Sequence, residues 1–185
     1  ENLLKDLIKN NYLKTQALIN AFELIDRKDF VLEKDKSGAY ANYPISIGFG
    51  QTISQPLTVA FMLELLEPRR GDKILDIGAG SGWQTALLAE IVGNEGKVFA
   101  IERISELKKM AEENISKYSF IESGIIKIKI GDGTLGWEEE MPFDKIIAAA
   151  SGSMIPKAWK DQLKIRGRIV APIGNSIVVL DKKTP

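Results

Sequence analysis

Asp76-Ile77-Gly78-Ala79-Gly80-Ser81-Gly82-Trp83 lies between a short apolar run, Ile74 to Ile77, and a stretch with helical apolar spacing, Gln84 to Val92. A strand that turns through alternating glycines into a helix is how a parallel α/β sheet begins. The glycines have a physical role there. A ligand lying across the carboxyl end of the sheet needs close backbone approach without Cβ atoms, and a tight turn draws on positive φ. A strand-to-helix turn with no ligand is the plainer reading; the preceding Asp76 and the strand-loop-helix setting favour a ligand. The dinucleotide fingerprint G-x-G-x-x-G wants its third glycine at position 83, which is Trp, so NAD is disfavoured. No G-x-x-x-x-G-K-[ST] occurs, which removes a P-loop for a triphosphate.

Working outward, the alternation continues. Lys97 to Glu102 reads as a second strand, and Ile104, Leu107, Ala111, Ile115 and Tyr118 mark a helix by steps of three and four. Ile125 to Ile130 and Phe143 to Ala149 follow as strands, then a helix from Pro156 to near Leu163. Arg168 to Ile173 and Ser176 to Leu180 close the chain as strands, a hairpin about Gly174-Asn175. The order predicts a Rossmann-like α/β fold: a mostly parallel, doubly wound sheet with helices on both faces and right-handed crossovers. Upstream, Pro56 opens a helix with Val59, Met62, Leu63 and Leu66 on one stripe, ending near Pro68 and Gly71. The first 30 residues read as two short helices forming a small cap. Glu33 to Ser54 lacks sustained periodicity, and a loop of that length within a domain is more often functional than idle. One domain is expected over 1–185, with 1–54 as helical cap and substrate loop and 55–185 as cofactor-binding core.

Composition narrows the chemistry. The chain has 185 residues, 44% hydrophobic and 27% charged, and its 25 basic and 25 acidic side chains cancel. Nothing in that balance draws it to nucleic acid or an anionic membrane. Zero Cys excludes disulfides, thiol nucleophiles and thiolate metal sites, and zero His excludes Ser-His-Asp catalysis and imidazole-ligated metals. No metal is expected, and any acid or base is Asp, Glu, Lys or Tyr. Apolar runs reach five residues, as at Val59 to Leu63, far short of a membrane span. The reading is a cytoplasmic protein. It starts at Glu1 rather than Met, so a natural start upstream is expected.

Two acidic residues extend the glycine loop into a site. Glu102 ends the second strand, 20 residues after Gly82, where a carboxylate can accept both ribose hydroxyls of an adenosine moiety. Asp132, in Gly131-Asp132-Gly133, occupies the next loop on that edge; an Asp capping its own turn is the plainer alternative. The order Asp-x-Gly-x-Gly-x-Gly at 76–82 resembles the first motif of class I S-adenosylmethionine-dependent methyltransferases, whose cofactor carries no phosphates.

The wider pattern resembles the protein-L-isoaspartate O-methyltransferase family. It includes Arg27-Lys28-Asp29-Phe30-Val31, Ile47-Gly48-Phe49-Gly50-Gln51-Thr52-Ile53-Ser54-Gln55-Pro56, Gly131-Asp132-Gly133 with Gly136-Trp137, Pro142-Phe143-Asp144, and Gln162-Leu163-Lys164 through Pro172-Ile173-Gly174. The Gly-Gln-Thr-Ile-Ser-x-Pro stretch is the discriminating element. The resemblance implies that the enzyme transfers a methyl group from S-adenosyl-L-methionine to isoaspartyl residues of damaged proteins and peptides. It implies that Ser54 is the active-site serine and that Thr52, Ile53 and Ser54 lie beside the methyl donor. It implies cofactor contacts from Gly78, Glu102, Asp132 and Gly133, with Asp76, Gly80 and Gly82 in the same motif. Ala149, Ala150 and Ser151 would flank the acceptor, together with Thr52 and Ser54. A seven-stranded sheet is implied as well, with further strands beyond Pro185 that help close the substrate cleft. Leu57 stands where many relatives have His, so any role of that His is not available here.

The chemistry suits a chain without His or Cys. Isoaspartate exposes an α-carboxyl group with a pKa of roughly 3.3 to 3.7, a carboxylate at neutral pH that needs no general base. Ser54 is expected to orient it, since a serine without a base is a poor nucleophile. Ser54 also suits a helix N-cap ahead of Pro56, and for Thr52 local hydrogen bonding is the plainer reading. Trp83 and Trp137 are expected in the core, and Lys108 and Lys109 on a solvated helix face. Two other functions fit the same residues: a cofactor-binding protein with little turnover, and a methyltransferase for another acceptor. The expected partners are isoaspartyl polypeptides, with no nucleic acid or membrane, and the expected state is a monomer.

Overall fold

The computed structural model describes residues 3–184; Glu1, Asn2 and Pro185, the ends of the expected domain, lie outside the described residues, as does anything past Pro185. In chain order the elements are α1 (Leu3–Lys9), α2 (Gln16–Leu24), β1 (Ile45–Gly48), β2 (Gln51–Ile53), α3 (Pro56–Leu66), β3 (Lys73–Ile77), α4 (Trp83–Val92), β4 (Lys97–Glu102), α5 (Ser105–Ser116), β5 (Ile126–Ile130), β6 (Phe143–Ala148), α6 (Lys157–Gln162), β7 (Leu163–Ile173) and β8 (Ser176–Asp181). Six strands run in the order β5-β4-β3-β6-β7-β8. The first five are parallel and β8 returns antiparallel to β7 through the Gly174-Asn175 turn. The class is as expected; among the described residues the sheet has six strands rather than seven.

Alternation along the strands builds two cores. Ile74, Val98, Ile126, Ile147 and Val170 face the helices α2 to α5. Their neighbours Leu75, Phe99, Ile146 and Ile169 face α6 and the segment around Trp137. Helices thus cover the two faces unequally. On the second face one six-residue helix is supplemented by Trp137, edge-on to Phe99 at 5.4 Å, and by the ammonium groups of Lys73 and Lys127 over the Phe99 ring. Long stems covering apolar surface with solvated heads do the work of a missing helix. α4 is buried along nine of its ten residues, because the sheet lies on one side of it and α2 on the other.

Two segments differ from expectation. The Glu33 to Ser54 loop contains a 3₁₀ turn, Glu33–Gly38, and the hairpin β1-β2. Strands of four and three residues are too short for a period to show, though Ile45, Ile47 and Ile53 are buried. β7 begins at Leu163 rather than Arg168. Its register with β6 slips between Phe143 and Lys145, and Arg166 takes φ of 68°, a bulge that hides the strand's start from an alternation test.

The cap is tied to the core by side chains acting at a distance. Glu64 of α3 accepts from the N–H groups of Lys14 and Thr15 at 2.6 and 2.8 Å and from the Thr15 hydroxyl at 2.8 Å, tying down the residues that lead into α2. Asn42 Oδ1 accepts from Leu57 N–H at 3.0 Å and caps α3. The α3 N-cap position itself is Gln55, so Ser54 is not the helix cap that its spacing suggested. Leu57, turned toward the cap, borders a small hollow with Leu3, Leu7 and Tyr12.

Candidate functional site

The carboxyl ends of β3, β4, β5 and β6 stop at one level, because Ile77 pairs with Ile101 and Ala148, and Glu102 with Ile130. The loops that follow are bonded to one another just above that level. Gly78 N–H donates to Ile101 O at 2.8 Å, Gly131 N–H to Glu102 O at 3.0 Å, and Ala149 N–H to Ile77 O at 2.9 Å. A cavity of about 810 Å³ opens over these ends, within the range of small-molecule sites. Ligand crevices at the carboxyl edge of parallel sheets are the rule for open α/β folds.

Each wall has an identifiable cause. Gly78 has φ of 87°, and a Cβ there would approach Ala150 N at 3.6 Å, narrowing the floor. Glu102 is 5% exposed and its carboxylate is fixed by backbone donors: Gly80 N–H to Oε2 at 2.9 Å and Ile104 N–H to Oε1 at 3.0 Å. Each oxygen keeps a second lone pair, so the group can accept two hydroxyls from the cavity side. Asp132 accepts from Thr134 N–H at 2.9 Å and from its hydroxyl at 2.8 Å. Those two bonds hold its carboxyl below the usual carboxylate range. Asp132 therefore caps its own turn and lines the cavity at once.

The opposite wall comes from β2 and the residues after it. Thr52 and Ser54 line the cavity with Gln51, facing Ala149, Ala150 and Ser151 after β6. That second segment is anchored by Gly152, whose N–H donates to Pro172 O at 3.1 Å and whose carbonyl accepts from Gly174 N–H at 2.9 Å. Among the described residues the Ser54 hydroxyl has no hydrogen-bonding partner, since Asn42 has taken over the helix cap. It is left free for a ligand.

The structure thus gathers Thr52, Ser54, Gly78, Gly80, Glu102, Asp132, Gly133, Ala149, Ala150 and Ser151 around one cavity. It does not bring Ile53, Asp76 or Gly82 to the wall. Ile53 is 4% exposed and belongs to the apolar core under the hairpin, because its neighbours on β2 point the other way. Asp76 is completely buried beneath α4, where Gln84 Nε2 donates to Oδ1 at 2.8 Å and the Thr85 hydroxyl to Oδ2 at 2.7 Å. Burial pushes its pKa up to about 6 despite those two bonds. Gly82 packs against α5: a Cβ there would lie 2.9 Å from Ile115 Cδ1 and 3.2 Å from Ala111 Cα. Ile53, Asp76 and Gly82 shape the loop from behind rather than touching its contents.

Some residues of the site carry no sequence signal of their own. Trp159 is buried on the cavity wall, and its Nε1–H donates to Gly133 O at 2.7 Å. Gln162, one turn on, accepts from Trp137 N–H at 2.8 Å and donates to Leu135 O at 2.9 Å. Together they clamp the Asp132 loop from α6. Their spacing of three on a helix was visible, but nothing in it named the loop as partner. Trp83 lies in the core as expected, edge-on to Phe22 at 5.4 Å, and Trp137 is half-buried, packed against the second core. Lys108 and Lys109 pair with Glu112 and Glu113 along α5.

Comparison with known proteins matches this arrangement to one family. A family profile described as protein-L-isoaspartate(D-aspartate) O-methyltransferase covers residues 1–184. A protein-L-isoaspartate O-methyltransferase of Methanococcus aeolicus is 41% identical over 186 residues, 99% of this chain and 85% of that protein. A solved protein-L-isoaspartate O-methyltransferase superposes with a TM-score of 0.89 at 26% identity, over 99% of this chain and 60% of that one. The beta-aspartate methyltransferase structure from Plasmodium falciparum, in complex with S-adenosyl-L-homocysteine, gives 0.88 at 26% identity over 98% of this chain and 89% of that one.

Proposed function

Because the chain belongs to the protein-L-isoaspartate(D-aspartate) O-methyltransferase family, we propose that it transfers a methyl group from S-adenosyl-L-methionine to the free α-carboxylate of L-isoaspartyl residues in damaged proteins and peptides, releasing S-adenosyl-L-homocysteine. The observation that carries this reading is the meeting, in one cavity, of the glycine loop and Glu102 with the free hydroxyl of Ser54. The cavity's residues fit such a donor. Gly78 and Gly80 leave the floor clear, Glu102 offers a held carboxylate to paired hydroxyls, and no phosphate-binding glycine-lysine loop is present in the sequence. When bound, the donor supplies a methyl group on a sulfonium, an electrophile that asks no acid or base of the protein.

The chain's own residues divide the work. Glu102, Gly78, Gly80, Asp132 and Gly133 hold the donor. The Ser54 hydroxyl donates to the isoaspartyl carboxylate and turns one oxygen toward the reacting carbon, with Thr52 as a second hydroxyl and the backbone of Ala149, Ala150 and Ser151 alongside. Ile53, Asp76 and Gly82 keep the two walls in register from behind. The acceptor is already ionised at neutral pH, so no proton has to leave it, and orientation with exclusion of water suffices. Residues up to 54 serve as cap and substrate loop and residues from 55 as the donor-binding core of one domain. The reading extends to a monomer working in the cytoplasm, as the balanced charge and the sequence suggest; among the described residues no helix is long and apolar enough to cross a membrane.

Transfer of a labelled methyl group to an isoaspartyl peptide, with the aspartyl isomer as control, tests the reading. The isoaspartyl peptide alone should be labelled. Ser54→Ala should lose most of the turnover while its calorimetric affinity for S-adenosyl-L-homocysteine stays within about twofold, since the hydroxyl is assigned to the acceptor. Equal turnover in the variant would remove Ser54 from the mechanism, and binding without any turnover in the parent chain would reduce the protein to a binder.

A further inference from the structure

Arg27 is buried to 2% exposure in the 3₁₀ turn that follows α2, and no carboxylate among the described residues pairs with it. Its guanidinium instead gathers carbonyls from three separate places. Nη1 donates to Ala39 O, and Nη2 donates to Tyr43 O at 3.3 Å and to Ser54 O at 2.9 Å. Its Cζ lies 5.2 Å from the centroid of the Trp83 ring at the start of α4, and Nε has no partner. A buried cation is costly unless it is paired, and carbonyl dipoles and a ring face compensate it only in part. Burial lowers its pKa to about 10, which leaves it charged at neutral pH.

We infer that Arg27 is a positioning residue for Ser54, and that its unpaired charge behind the Ser54 backbone draws the anionic acceptor to that wall of the cavity. This rests on the isoaspartyl carboxylate being the acceptor. Three links carry it. Arg27 bonds the backbone of Ser54, a cavity residue whose hydroxyl has no partner among the described residues. The same guanidinium bonds Ala39 and Tyr43, which ties the loop leading to β1 to Ser54, the residue following β2. The counter-charge that this cation lacks among the described residues is what a carboxylate substrate brings. Arg27 itself is buried, so its attraction through the Ser54 carbonyl is screened less than between two surface charges.

A purely structural anchor would hold the loop equally for any acceptor, so discrimination by charge separates the two roles. The measurement compares inhibition or binding of an isoaspartyl peptide with its neutral isoasparaginyl counterpart, in the wild-type chain, in Arg27→Lys and in Arg27→Gln. Affinity for S-adenosyl-L-homocysteine and a thermal melt are read alongside. The wild type should favour the anionic peptide by about 10-fold or more. Arg27→Lys, which keeps the charge but not the three-way grip, should retain most of that ratio with a lower kcat. Arg27→Gln should bring the ratio to about one and raise the KM for the isoaspartyl peptide about 10-fold, with donor-side affinity within about twofold. An unchanged ratio in Arg27→Gln overturns the inference while leaving the methyltransferase reading intact. Failure of the wild type to methylate the isoaspartyl peptide overturns both. Should Arg27→Gln not melt cooperatively, the other two chains decide: a ratio below about three in either overturns the assignment.

Discussion

Gly78 and Gly82 offer a controlled pair, because they share a positive φ and differ in what surrounds them. Their φ angles are 87° and 93°, so replacing either by Ala forces an L-residue into the same unfavourable region, at about 1–2 kcal/mol. That contribution cancels between the two variants. What remains is packing. A methyl at Gly78 meets Ala150 N at 3.6 Å, an ordinary contact on the cavity floor, whereas one at Gly82 meets Ile115 Cδ1 at 2.9 Å and Ala111 Cα at 3.2 Å. The second set lies inside α5, which cannot withdraw without opening the core, and overpacking of that kind costs about 1–3 kcal/mol. Urea unfolding should therefore place Gly82→Ala about 1–3 kcal/mol below Gly78→Ala, and about 2–5 kcal/mol below the wild type in all. Calorimetry with S-adenosyl-L-homocysteine, where both variants are folded, should show the reverse order. Gly78→Ala, which narrows the cavity, should lose affinity, and Gly82→Ala should keep it. Equal stabilities, or lost affinity in Gly82→Ala alone, would refute the assignment of Gly82 to helix packing.

Three further outcomes follow from the same coordinates. In Glu102→Gln the side-chain amide opposes one of the two backbone donors at Gly80 and Ile104, and S-adenosyl-L-homocysteine affinity should fall by about 10- to 100-fold, equivalent to about 1.5–3 kcal/mol; titration calorimetry showing less than a twofold change would count against it. Asp76 has its pKa raised to about 6 by burial, so the folded chain holds this proton more tightly than the unfolded one. Its contribution is fully present below about pH 4 and is lost, by about 3 kcal/mol, as pH rises through about 6. Asp76→Asn should remove that window, and urea melts at pH 4 and pH 7 that differ equally in both chains would show that Asp76 does not titrate there. Trp159→Phe removes one of the two donors to Gly133 O, leaving Gly136 N–H at 3.1 Å, and should weaken S-adenosyl-L-homocysteine binding about 2- to 10-fold at unchanged fold, read by calorimetry against circular dichroism; full affinity would mean that the Asp132 loop stands without α6.

The donor side of the cavity was legible because its parts follow from local order. A strand, a glycine turn and a helix place Gly78 and Gly80, and the next strand ends on Glu102 whatever the rest of the chain does. Asp76 and Gly82, from the same motif, do not line the cavity. Both belong to the motif as sequence, but the pleat turns Asp76 under α4, toward Thr85, and the helix start aims Gly82 at α5. A motif says which residues share a loop, not which side of it each one faces. The hairpin β1-β2 escaped notice because its strands span two periods at most, and the early start of β7 because a bulge breaks its alternation. The N-cap reading of Ser54 failed for a different reason: a residue fifteen positions before Leu57, Asn42, supplies the oxygen instead.

The acceptor side is built by another kind of bond, and that explains both its obscurity and its character. Ladder hydrogen bonds between strands hold Gly78, Glu102 and Gly131 in place, so their relative positions are set by sheet register. Ser54 has no such ladder partner. It follows a three-residue strand, and what fixes it is a buried side chain 27 positions away, acting on its carbonyl. Glu64 and Asn42 hold α2 and α3 in the same manner, side chain to backbone and far apart in sequence. Such contacts leave no periodic trace, since each needs only one residue of the right length at a place that the fold alone defines. They also yield more readily than a sheet, because each wall segment hangs on a few bonds rather than on a continuous core. A rigid donor half facing an adjustable acceptor half is what an enzyme needs when one partner is a fixed small molecule and the other is a damaged site in many different chains.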